Sequence, residues 1–111
     1  MVESRLLTLD ATYGALAHEV RRSILESLRA GDARVTELAA PFDMSLAAAS
    51  KHIRVLESAG LIHRTVQGRD HHISLDPRPL VEAGEWIDTY RTFWERRLDV
   101  LEAHLRKGRR R

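Results

Sequence analysis

Apolar residues recur at helical spacing over four successive stretches, alternate briefly, and then return to helical spacing for a long final run. After a loose N-terminus, Leu9 to Ala17 suits a short first helix presenting Tyr13 and Leu16. Val20, Ile24 and Leu28 share one face of a second helix from about His18 to Ala30, ended by Gly31-Asp32. Val35-Thr36-Glu37-Leu38-Ala39 is a third, short helix, stopped near Pro41 because proline cannot supply the next N–H. Pro41-Phe42-Asp43-Met44 then turns the chain into a fourth helix. There Ser45 has an N-cap hydroxyl, Ala49, Ile53 and Leu56 make a core stripe, and Gly60 sits where a left-handed C-cap is wanted. Two short helices joined by such a turn form a helix-turn-helix.

Beyond Gly60 the period shortens. Ile62, Thr65-Val66 and His72-Ile73-Ser74-Leu75 suit two short strands around the turn Gly68-Arg69-Asp70, a hairpin with a cationic tip. Asp76-Pro77-Arg78-Pro79 breaks the second strand and starts the last helix. The expected architecture is mainly α with a small β-hairpin, a winged helix-turn-helix in the order α-α-α-α-β-β-α. It occupies residues 1–105 as one domain, followed by a disordered basic tail at 106–111.

The last helix carries two apolar stripes. Ala83, Ile87, Tyr90, Trp94, Leu98, Leu101 and Leu105 advance by fours and threes, and Trp86, Phe93 and Val100 recur at sevens. A helix packed only on its own small domain needs one stripe. The second predicts a homodimer, with Tyr13, Leu16, Trp86, Ile87, Tyr90, Phe93, Trp94, Leu98 and Leu101 as its interface.

Charge sharpens this only when read locally. The chain has 18 basic and 16 acidic residues, but residues 106–111 hold five of the cations; without them 13 face 16. Residues 44–78 nevertheless carry Lys51, Arg54, Arg64, Arg69 and Arg78 against Glu57, Asp70 and Asp76. A positive face, rather than a positive total, is what nucleic acid requires. With no cysteine, disulfides, thiolate metal ligands and a cysteine nucleophile are excluded. No signal peptide or membrane span is legible, so a cytoplasmic protein is expected. Catalytic signatures such as Gly-x-Ser-x-Gly or His-Glu-x-x-His are missing, so no enzyme is expected.

The words Ala15-Leu16-Ala17 with Arg21-Arg22-Ser23-Ile24-Leu25, then Val35-Thr36-Glu37-Leu38-Ala39, and Ser50-Lys51-His52-Ile53-Arg54-Val55-Leu56-Glu57 with Ala59-Gly60-Leu61-Ile62, occur in a specific joint order. Gly68-Arg69 with His71, and Leu75 with Pro77, complete it. The chain resembles the ArsR/SmtB family of bacterial winged-helix repressors over about residues 9 to 105. Glu37-Leu38-Ala39-Ala40-Pro41 stands where metal-sensing members carry a cysteine box, which places the chain in a branch without it. That branch commonly has proline at position 47, here Ala47, and His18-Glu19-Val20 replaces the usual Asp-Pro-Thr.

The resemblance and the helical positions together assign Leu46, Ala47, Ser50 and Lys51 to the major groove, where Ser50 and Lys51 can address base edges. Ser45, Thr36 and Arg54 suit phosphates, which fix register without reading sequence. Arg69 suits a narrow minor groove, and Arg64, Gln67 and His71 the backbone beside it. His52 is assigned either to a phosphate or to a bond across the helix-turn-helix; Arg21 and Arg22 suit either phosphate contacts or ion pairs, the structural role being preferred. No metal or other cofactor is expected: Asp70-His71-His72 is the densest histidine group, but neighbours on a strand point to opposite faces. His104, the last helix's one histidine, has Val100 and Leu101 one turn back rather than ligands. The expected function is a homodimeric repressor on an operator in double-stranded DNA. The alternatives are a winged-helix module that binds protein and a metal-responsive repressor with a non-cysteine site. No effector site is legible.

Overall fold

The computed structural model describes the backbone of residues 2–109 and the side chains of residues 8–109. Its elements in chain order are α1 (Val2–Leu16), α2 (Glu19–Leu28), β1 (Ala33–Arg34), α3 (Val35–Ala39), α4 (Leu46–Ser58), β2 (Ile62–Gln67), β3 (Asp70–Leu75) and α5 (Arg78–Arg109). The winged helix-turn-helix predicted from the sequence is present, with three corrections.

First, the wing belongs to a three-stranded antiparallel sheet of order β1-β3-β2, not to a bare hairpin. A two-residue strand has no periodicity to read; β1 exists only because Ala33 and Arg34 pair with Ile73 and His72. Second, α1 begins at Val2 instead of after a loose N-terminus, over a stretch without glycine or proline to stop it. Third, α5 runs on to Arg109, so residues 106–109 of the basic tail are helical rather than disordered, and 110 and 111 lie outside the described residues. Arg106, Lys107 and Arg109 sit where the helix dipole favours cations, and Arg106 pairs with Glu102 one turn back.

The core lies between α2, α3, α4 and the base of the sheet. Ile24, Leu28, Leu38, Ile53, Leu56, Leu61, Ile62 and Ile73 are all buried there. Gly60, at φ +77°, ends α4: its N–H reaches the carbonyl of Glu57 and the N–H of Leu61 that of Leu56, both at 3.0 Å. This pair of bonds defines a Schellman turn, and the hydrophobic contact that accompanies it is supplied by Leu56 and Leu61, both fully buried.

Two joints orient the outer elements. At the α1–α2 corner, His18 caps α2 by accepting the Val20 N–H at Nδ1 (3.1 Å), the role left open by the missing aspartate. Arg21 donates to the carbonyls of Ala15 (2.7 Å) and Gly14 (3.1 Å), and Arg22 to that of Leu16 (2.8 Å). Both arginines therefore close the C-terminus of α1 by bonding its last carbonyls, a structural role. Between β3 and α5, buried Asp76 accepts from the Arg78 N–H and guanidinium and from His63 Nε2 at 2.7 Å. The Arg78 bonds, ahead of the His63 bond, hold the Asp76 carboxyl well below the usual carboxylate range. Arg78, the first residue of α5, is thereby tied to the Asp76 carboxylate while its side chain stays exposed.

Candidate nucleic-acid interface

Ser45 opens α4 by accepting the Ala48 N–H at 3.1 Å. The helix then turns Ala49, Ile53 and Leu56 inward at 0% exposure, while Leu46, Ala47, Lys51 and Arg54 stay exposed and Ser50 half-buried. The wing ends in the two-residue turn Gly68-Arg69 between the paired Gln67 and Asp70. Gly68 takes φ +64° and Arg69 an ordinary negative φ, as a type II′ turn with glycine first requires. Arg69 is exposed at the tip.

A cleft of about 340 Å³ lies between the starts of α3 and α4 and the wing, lined by Arg34, Val35, Thr36, Leu46, Ser50, Arg64, Arg69, Asp70 and His71. Six of the residues assigned to DNA from the sequence meet in it: Thr36, Leu46, Ser50, Arg64, Arg69 and His71. Ala47 and Lys51 are exposed on the same helix, and Gln67 is exposed where β2 ends. Arg54 lines a separate groove, between α4 and Asp10, Ala11 and Gly14 of α1.

The sequence reading missed Arg34. It precedes α3, and its backbone N–H (3.1 Å) and Nε (3.0 Å) both donate to Glu37. The backbone bond first, then the guanidinium, pulls the Glu37 carboxyl below its ordinary range. Only the reciprocal half of a capping box is present, with Glu37 accepting from the Arg34 N–H, because a guanidinium cannot accept; the glutamate three residues on was the one local signal.

Arg64 is bonded within its own chain, and His52 has a structural bond, one of its two expected kinds of role, made to α2 rather than to α3. Arg64 donates from Nε to Glu57 (3.2 Å) and from Nη1 to His71 Nδ1 (3.1 Å), with only 23% of its side chain exposed. His52 faces the α1–α2 corner, its ring 4.3 Å from that of His18 and its Nδ1 3.3 Å from Arg21 Nη1. A guanidinium can only donate, so His52 accepts and is neutral there. Partial burial, then His18 and Arg21, lowers its pKa. A lowered histidine pKa means that stability is complete above the unfolded value of about 6.5 and is lost as pH falls through the folded one. Urea midpoints measured from pH 7.5 to 5.5 are expected to decline less steeply in His52→Gln, which keeps an acceptor for Arg21, than in the wild type.

The proposed interface residues divide in the same way. Tyr13 donates to the carbonyl of Ala83 at 2.7 Å and meets Trp86 edge-on at 5.8 Å. Leu16 packs against the core of its own chain. Trp86, Ile87, Tyr90, Phe93, Trp94, Leu98 and Leu101 are exposed. Among the described residues no three histidine, aspartate or glutamate side chains converge as a metal would require, and no helix is long and apolar enough to cross a membrane.

A family profile described as "Helix-turn-helix domain" matches residues 16–65, which span α2 through the start of the wing. The HTH-type transcriptional regulator Rv2034 of Mycobacterium tuberculosis is 36% identical over 89 residues, 80% of this chain and 80% of its own. The crystal structure of an ArsR family transcriptional regulator is 38% identical and superposes with a TM-score of 0.76, covering 79% of this chain and 91% of that one. The chain belongs to the ArsR family of transcriptional regulators. Another relative of this ArsR regulator is the transcriptional repressor SdpR of Bacillus subtilis, 27% identical over 79 residues, which are 71% of this chain and 88% of that protein. With no cysteine in the chain, this ArsR regulator has no thiolate metal box at Glu37 to Pro41. Its family is one of DNA-reading regulators rather than enzymes.

Proposed function

We propose that this ArsR regulator is a homodimeric repressor that covers a promoter by binding a pseudo-palindromic operator. The observation that carries the reading is the joining of the α4 face and the wing into one concave, arginine-lined surface. Lys51 and Ser50 address base edges in the major groove, with Leu46 and Ala47 placed for thymine methyls. Ser45, Thr36 and Arg54 meet phosphates, Arg69 enters the adjoining minor groove, and Gln67 and His71 stand beside it. Arg34 joins the phosphate contacts.

The second copy is supported by α5. Ala83 is its one buried residue among those described, whereas Trp86, Ile87, Tyr90, Phe93, Trp94, Leu98, Val100, Leu101 and Leu105 are each between 42% and 71% exposed. A row of that size, with both tryptophans, is an interface rather than a surface for water. Two-fold symmetry then sets half-sites about 10 bp apart, or a multiple of that. The name of SdpR supports repression.

Footprinting the tagged protein across the genome identifies the operator, and titration at several salt concentrations tests the contacts. Lys51→Ala is expected to weaken specific binding by about 1–3 kcal/mol per half-site and to relax preference at one base pair in each half-site. Arg69→Ala, which removes one contact from each half-site, is expected to reduce the slope of log K against log salt by about 2. Operator binding indifferent to both substitutions would reject the assigned face.

A further inference from the structure

Arg64 was assigned to the DNA backbone from its place in the wing, but its guanidinium bridges three elements of its own chain. Nε holds Glu57 on the last turn of α4, and Nη1 holds His71 on β3, while Arg64 itself is on β2. Arg64 lies opposite Ile73 in the register, so His71 is its diagonal neighbour on the same sheet face. The planar fork lets one side chain hold both partners at fixed angles, which a lysine cannot do.

The position of this bridge matters because of leverage. The base of the wing is held by β1, through Ala33 and Arg34 on Ile73 and His72. Beyond it, residues 65–70 are exposed, and a two-stranded ribbon has little stiffness of its own. Arg69 stands four residues beyond the Arg64–Ile73 pair, about 13 Å at ~3.3 Å per residue, so a 10° swing at Arg64 moves the tip by about 2.3 Å. That displacement is more than a hydrogen bond tolerates.

We propose that Arg64 is a positioning residue: with Glu57 and His71 it locks the wing against the recognition helix, and it serves DNA affinity through Arg69. The inference rests on the DNA reading above. It makes an acidic residue favourable to DNA binding, the opposite of what proximity to phosphate alone dictates.

The test uses the full-length dimer on its operator, with Glu57→Gln, Arg64→Lys, Arg64→Ala and Arg69→Ala. Glu57→Gln is expected to weaken binding about 3- to 30-fold, the size of couplings within one hydrogen-bonded network, although it removes a negative charge. Arg64→Lys should lose as much as Arg64→Ala; each lowers the salt slope by no more than Arg69→Ala does, about 2 for the two wings of the dimer, and neither lowers it further once Arg69 is already alanine. In the Arg69→Ala background, Glu57→Gln should add nothing. Tighter binding by Glu57→Gln, a further fall in affinity and salt slope when Arg64→Ala is added to Arg69→Ala, or full rescue by Arg64→Lys each overturns the proposal in favour of a direct phosphate contact. An Arg69→Ala variant that binds like the wild type removes the wing reading and this inference together. A damaged Arg69→Ala beside an unaffected Glu57→Gln removes the inference alone.

Discussion

Replacing Phe93 and Trp94 together by glutamate is expected to yield a folded monomer whose operator affinity is lower by about 10²- to 10⁴-fold. Both side chains are about half exposed in the single chain, and their ring contact is with each other on α5. The core around Ile53, Leu56 and Ile73 contains neither. The helix-turn-helix therefore keeps its fold, and what is lost is the tether between two reading heads. Each head then binds a half-site with its own modest affinity, without the high local concentration that linkage supplies. Light scattering reports the mass, circular dichroism the retained helices, and gel shifts the affinity. A dimeric double variant, or a monomer that holds the operator as tightly as the wild type, would refute the assignment of α5.

The second large effect is on stability. Leu56 is fully buried and lies at the closure of α4, where its carbonyl accepts from Leu61 and its side chain joins Ile53, Leu61, Ile62 and Ile73. Leu56→Ala is expected to cost about 2–5 kcal/mol, because the surrounding helices and sheet cannot collapse into the space left behind. Domains of this kind have only about 5–15 kcal/mol in total, so the variant approaches the threshold of unfolding. At one fixed protein concentration the urea midpoint should fall with an unchanged slope. A loss below 1 kcal/mol would mean that the site is looser than its burial indicates.

The sequence made the reading head legible because its signals are local. Ala49, Ile53 and Leu56 repeat within one helix, Ser45 and Gly60 punctuate it, and Gly68 marks the turn of the wing. Elements defined by partners distant in sequence were not legible. β1 is two residues long and becomes a strand only through Ile73 and His72. The bridge from Arg64 to Glu57 and His71 depends on the direction of a side chain, and no pattern of residue types records that direction. His52 is a different case. It stands three residues after Ala49 and four before Leu56, hence beside the inner stripe of α4, so an inward structural role was legible while its partner Arg21 was not.

The exposure of α5 also bears on how much regulator a cell must hold. From Glu85 to Arg109 every described residue of this helix is exposed in a single copy. A protein helix owes most of its stability to the packing of its apolar face rather than to intrinsic propensity. In a dimer the far half of α5 then owes its order to the second copy, and folding and association become one equilibrium. Dilution would fray the last helix before it touched the reading head, and the thermal midpoint would rise with protein concentration. For a repressor built this way, abundance is itself an input: promoter occupancy climbs more steeply than in proportion to the number of chains made.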